Sequence, residues 1–356
     1  MAIDHTELRQ FHTARQNSSV AVTIEKSTAP MLWLDTSVFI DLARAKDGER
    51  TEPTRQKKLE RLYAIARRAI RNERLVCPEW DQSDETEGKP LADRIQRLIS
   101  DLSCGAHCAT YGLLKDRQAS IGMRAYIGSD SSIRIPAKIH FSQDPLEAIR
   151  WAKKHNLIIE ADIPTPQAWI DKADLNKAML LAGLEKSRLQ HVKERRTFEQ
   201  QLELERRAEA TGMLRMYDDY LCKRASDAVD AWTRLGVIGF EQAAKEYKEI
   251  GGPGEDFTER LIGVYAFMNS PYYWQLPIQD VACRLSADII VQKHEIGLGD
   301  NQDIQHLSTA IPVAHYVVTD NAMVDRCRRL KLGDKWNTKI YATRTLDDLS
   351  DEIAAL

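Results

Sequence analysis

Short apolar runs, each closed by polar residues, punctuate a chain whose other hydrophobic positions recur at helical spacing. Met31-Leu-Trp-Leu34 ends in Asp35-Thr36-Ser37, and Val38, Phe39, Leu42 and Ala43 follow at helical intervals. That is the pattern of a buried strand, a polar turn and a helix. Leu75-Val-Cys-Pro78 reads as a second strand, followed by the acid-rich Asp81-Gln-Ser-Asp84-Glu85-Thr-Glu87 and a helix with apolar positions at 91, 95, 98, 99 and 102. Tyr316-Val-Val-Thr319 is a third strand, ending in Asp320, and Lys339-Ile-Tyr-Ala342 a fourth. Strands alternating with helices predict an α/β fold around a parallel sheet.

Between the second and third strands the pattern changes. Residues 104–285 read as a mainly helical insertion, with helical spacing over 145–155, 168–188, 190–211 and 213–234, and an extended piece from Ile133 to Phe141. His191 to Ala210 is nearly all charged or polar, with Glu and Arg three or four apart, which predicts a solvated or partner-facing helix. Residues 1–27 are polar and mixed and read as an N-terminal tail. The expected domain comprises 28–103 and 286–356, together roughly 150 residues, the size of one domain.

The composition, 43% apolar and 29% charged over 356 residues, is that of a globular chain. A net charge of −3 excludes a basic nucleic-acid coat, so any nucleic-acid site has to be a local patch. Arg50 to Arg74 carries nine basic residues against three acidic, on an amphipathic helix, and a second basic helix holds Arg326, Arg328, Arg329 and Lys331. No stretch approaches the ~18–20 apolar residues of a bilayer span. The first residues lack a signal pattern, and the expectation is a cytoplasmic protein without a membrane partner. Six cysteines are too sparse for a disulfide framework, and Cys104 and Cys108 flanking His107 lack the second ligand pair of a zinc site.

Asp35 and Asp320 stand at the carboxyl edge of the expected sheet, where open α/β folds place their sites. Asp303 and the Asp84, Glu85, Glu87 group lie near helix starts. Taken singly, each acid reads more simply as a helix cap. Gathered, such carboxylates repel one another, and a hard divalent cation, Mg²⁺ or Mn²⁺, relieves the repulsion. Such a metal activates a bound water and polarises a phosphodiester.

In order and type these residues resemble the PIN-domain nucleases. Leu32-Trp-Leu-Asp35-Thr-Ser-Val-Phe-Ile-Asp is similar to the family's first motif, and Asp303-Ile-Gln-His-Leu-Ser-Thr-Ala with Tyr-Val-Val-Thr319-Asp320 to its third and fourth. The resemblance implies a three-layer α/β/α PIN-like domain with a central parallel sheet. It implies Asp35, Glu85, Asp303 and Asp320 as the catalytic and metal-binding acids, with Asp84 and Glu87 as rivals for Glu85. Thr36, Ser37 and Thr319 would support the first acid, the metal water or the phosphate. Asp300 precedes the same helix as Asp303, but only Asp303 has the register of the motif, and Asn321 stands where the family often has another acid. PIN-like domains mostly cut RNA, so the implied activity is a Mg²⁺- or Mn²⁺-dependent endoribonuclease, a toxin or defence effector among its roles, with DNA as the other polymer. Arg67, Arg68, Arg71, Arg328 and Arg329 are the candidate nucleic-acid contacts.

Other readings meet specific obstacles. A haloacid-dehalogenase-type phosphatase needs an acid where Ser37 stands, and the Arg-His spacings at Arg134/His140 and Arg150/His155, similar to HEPN ribonucleases, contain Pro136 or lack the polar residue after Arg. Gly251-Gly-Pro-Gly254 has neither a preceding strand nor the Lys-Ser/Thr of a P-loop. The non-enzymatic alternative is an inactive PIN-like scaffold that binds RNA, a protein partner or a second copy of itself through the helical insertion.

Overall fold

The computed structural model describes residues 5–46, 52–80, 82, 91–155, 167–223, 231–292, 295–297 and 299–356. It is mixed α/β, mostly helical, with a small parallel sheet. Contacts divide the chain into two units: Met1–Thr23, Lys115–Ile135 and His191–Val291 form one, and Ile24–Leu114, Pro136–Gln190 and Gln292–Leu356 the other. Among the described residues no helix is long and apolar enough to cross a membrane.

The second unit holds the sheet. Its strands Leu32–Leu34, Tyr316–Thr319 and Lys339–Ala342 are parallel, with Tyr316–Thr319 in the middle. Leu32, Trp33 and Leu34 pair with Tyr316, Val317 and Val318. All but Tyr316 are buried, as continuous apolar runs covered on both faces require. The expected strand at Leu75–Pro78 narrows to a parallel bridge between Val76 and Met31. Its ladder consists of Leu32 N–H to Val76 O at 2.8 Å and Val76 N–H to Pro30 O at 2.9 Å. Pro78 has no amide to continue it, and from Glu79 the chain pairs outward, in parallel, with His107.

The chain therefore moves out from Leu32–Leu34 on one side, to Val76 and then His107, and returns on the other side to Tyr316 and Lys339. Strand order reverses between Leu32–Leu34 and Tyr316–Thr319. At the opposite end of these strands, Lys26 Nζ donates to Ala314 O and Asn337 O, both at 2.6 Å, and to Thr338 Oγ1 at 2.8 Å. His315 Nδ1 accepts the Met31 N–H at 3.0 Å. Gly333 is required by a close approach, since a Cβ there would stand 2.7 Å from Thr338 O.

Residues 1–27, expected as a tail, instead contribute the helix His5–Gln16 and the strand Ala21–Ile24, which pairs with Ser132–Ile135. Half of that helix's buried face is polar, which hid it from a hydropathy reading. Leu8 is buried, but so is His12, whose Nδ1 lies 2.7 Å from Tyr126 Oη. Arg15 Nε donates to Tyr126 O at 2.6 Å, closing the end of the helix Tyr111–Gly128. Of the extended piece expected at 133–141, the strand stops at Ile135 and a 3-10 turn, Ala137–His140, follows.

Within the insertion, Pro145–His155 forms as expected, whereas over 167–249 the helices are Gln167–Glu194, Phe198–Lys223 and Ala231–Glu249, with different breaks from those expected. Arg195 adopts a left-handed backbone, and Thr197 and Gln200 cap each other: Gln200 N–H to Thr197 Oγ1 at 3.3 Å, Thr197 N–H to Gln200 Oε1 at 2.9 Å. This reciprocal box restarts the helix. The stretch 191–210, expected as a solvated or partner-facing helix, is buried at Gln201, Leu202 and Ala210, and Leu202 packs with Cys283 and Ala287 of the helix Pro277–Val291. In the unit that contains Lys115–Ile135 and His191–Val291, the aromatic residues Tyr126, Phe240, Tyr247, Phe267 and Tyr272 are almost wholly enclosed.

Candidate metal centre at the strand ends

Asp35 follows the last residue of its strand and precedes the helix Thr36–Lys46. The Leu34–Asp35 peptide is held on both sides: the Asp35 N–H donates to Val318 O at 2.9 Å, and the Leu34 carbonyl accepts Gln82 Nε2 at 3.0 Å. The carboxylate is fixed in turn. Oδ1 accepts the Ser37 amide at 2.9 Å and Oδ2 accepts the Thr319 hydroxyl at 2.8 Å. These two bonds fix the orientation of the Asp35 carboxylate at the strand end.

Asp320, next along from Thr319, is the N-cap of the helix Asn321–Arg329. Its Oδ1 accepts the Ala322 and Met323 amides at 2.6 and 3.0 Å, and the residue is exposed. Thr319 joins the two acids, with its backbone continuing into Asp320 and its hydroxyl on Asp35. Both aspartates stand where the strand order reverses, the crevice that open α/β sheets use for ligands.

Asp303 is half-buried in the first turn of the helix Asp300–Val313. Asp300, its rival, closes a local turn by accepting the Gly297 amide on Oδ2 at 2.6 Å. Glu85, with Asp84 and Glu87, lies outside the described residues. Among the described residues, no three His, Cys, Asp or Glu are grouped to hold a metal ion. Thr36 is 4% exposed, and its hydroxyl has no hydrogen-bond partner among the described residues. An orphaned hydroxyl beside a hydrogen-bonded carboxylate fits oxygen-donor chemistry, that of a hard cation or its water. Ser37 acts on Asp35 through its amide, where a hydroxyl was expected.

Gln82 is the site residue that sequence reasoning missed. It is 3% exposed, and its Oε1 accepts the Trp80 amide at 3.0 Å while its amide nitrogen holds Leu34 O. A lone Gln in an acid-rich stretch reads as solvated, and no periodicity marks it. Glu79 and His107, at the outer bridge, form a further pair at 3.4 Å, and Gln96 Nε2 donates to Glu79 at 2.9 Å.

The expected nucleic-acid contacts lie on two helices. On Pro53–Arg71, Arg67 and Arg71 form ion pairs with Asp101 at 2.7 and 3.6 Å, and Arg68 is exposed. On Asn321–Arg329, Arg328 meets Asp325 at 3.0 Å, and Arg329 is exposed. Partly exposed ion pairs of this kind contribute little to stability.

No family model, curated protein or solved structure matches the chain.

Proposed function

We propose that this protein is a metal-dependent nuclease of the PIN-like type, a three-layer α/β/α domain that hydrolyses RNA. The observation that carries the reading is the joining of two strand-end aspartates at the strand-order reversal, through the Thr319 hydroxyl on Asp35. Asp35, Asp303 and Asp320, with Glu85, would hold Mg²⁺ or Mn²⁺. Bound there, the metal supplies an activated water and a polarised phosphodiester. The chain's own contribution is orientation: Gln82 and Val318 fix the Asp35 backbone, Ser37 and Thr319 its carboxylate, and the buried Thr36 hydroxyl has no partner among the described residues. The reading places the protein in the cytoplasm, where its RNA substrate is.

Purified protein incubated with single-stranded RNA or DNA in Mg²⁺, Mn²⁺ or EDTA tests this. Cleavage of RNA that needs the metal is expected, reduced at least about a hundredfold in Asp35→Asn and Asp320→Asn. Asn is a good N-cap, so both variants should fold. Cleavage that persists in EDTA, or in both variants, overturns the reading.

One observation favours an inactive scaffold: both aspartates already serve helix starts as backbone-amide acceptors. That alternative predicts RNA or protein binding with no cleavage under any metal condition.

A further inference from the structure

The helix Pro145–His155 buries Pro145, Ala148 and Ile149 and ends in Lys153, Lys154 and His155. Trp151 on its last turn is 50% exposed, although tryptophan is on average one of the more buried side chains. The indole is braced. His155 Nδ1 lies 2.9 Å from the Trp151 carbonyl, and the two rings lie 4.6 Å apart at 30°. One side of a rigid aromatic plane is thus held by the imidazole while half of its surface meets solvent.

Exposed cations adjoin it along the helix. Arg150, Lys153 and Lys154 flank the indole on the same helix, and all are exposed. Lys153 Nζ donates to Arg71 O at 2.9 Å and to Glu73 Oε1 at 3.0 Å, while Arg150 Nε donates to Glu73 Oε2 at 2.8 Å. The basic end of Pro53–Arg71 and the basic end of Pro145–His155 are thereby joined within one unit. Glu73 holds two of the cations in exposed ion pairs, which exchange readily for other anions.

We propose that Trp151, with Arg150, Lys153, Lys154 and Arg71, is a docking surface for single-stranded RNA, one base stacking on the indole and the cations neutralising adjacent phosphates. An acidic peptide would satisfy the cations but has no use for the open indole, whereas every base has a π-face for it. The choice of RNA as the polymer rests on the nuclease reading, and the surface would be that site's substrate-binding extension. Glu73 then acts as an internal competitor for the phosphates.

The test is fluorescence anisotropy of a labelled single-stranded RNA with the full chain in EDTA, so that binding is read without cleavage. Trp151→Ala should weaken binding about tenfold, and Trp151→Phe should restore most of it. Glu73→Gln, which frees two cations, should tighten binding severalfold and steepen its salt dependence. Cleavage of the same RNA by the parent is read separately in Mg²⁺, so failure of the nuclease reading would show as absent cleavage with this binding pattern intact. Binding by Trp151→Ala within twofold of the parent overturns the proposal. So does polyglutamate binding as tightly as RNA with the same dependence on Trp151.

Discussion

At the scale of single residues, Asp35 is tightly constrained at the sheet's carboxyl edge, with both of its oxygens and both ends of its preceding peptide bonded. Thr319 is 1% exposed and supplies one of those bonds. Thr319→Val keeps the shape and removes the donor, so a loss of about 1.5–3 kcal/mol is expected, the range for a hydrogen bond to a charged group. Urea unfolding reads that loss, and Thr319→Ser, which keeps the hydroxyl, should recover most of it. An unchanged midpoint in Thr319→Val would show that the bond does not constrain Asp35. Asp35, Thr319 and Asp320 were legible in the sequence because a strand's end is marked by the step from apolar to polar residues. Gln82 was not, because its role depends on a carbonyl 48 positions away in the chain.

At the scale of elements, spacing located the three strands of the sheet, and helix boundaries were legible only where apolar periodicity changed. The restart at Phe198 depends on the Thr197–Gln200 capping box, which hydropathy does not register. The helix His5–Gln16 was hidden because His12 and Arg15, polar in sequence, are buried or bonded to carbonyls. Helix packing also sets opposite signs for one substitution at two glycines. In Phe257–Met268, a Cβ at Gly263 would stand 2.5 Å from the Tyr247 ring. In Ala231–Glu249, nothing lies within 4 Å of a Cβ at Gly239. Gly263→Ala should therefore destabilise by about 1–3 kcal/mol through overpacking. Gly239→Ala should stabilise by up to about 1 kcal/mol through helix propensity. Thermal melts of the two variants measure both, and a shared sign would contradict the packing around Tyr247.

At the scale of the whole molecule, each unit carries a histidine that resists protonation. Burial, with Arg15 nearby, pushes His12 down to about 4, and burial, with Lys26 nearby, does the same to His315. Below the ordinary value near 6.5 the unfolded chain takes up a proton at each position while the folded chain does not. Both contributions to stability are therefore full above about pH 6.5 and are lost as the pH falls toward about 4. Urea midpoints at pH 7.5 and 5 should differ more for the parent than for a His12→Asn, His315→Asn double variant, and equal differences would remove the histidines from the acid response. The pairing of Leu32–Leu34 with Tyr316–Thr319 has a consequence during synthesis. Asp35 and Thr319 are 284 positions apart, so at ribosomal rates of 5–20 residues per second roughly 15–60 s separate their appearance. For that interval the first strand is a fully apolar edge without its neighbour, open to chaperones and to wrong partners, and the acidic centre has no second half. A nascent chain thus cannot bring Asp35 and Asp320 to one sheet edge until nearly all of this sequence has left the ribosome.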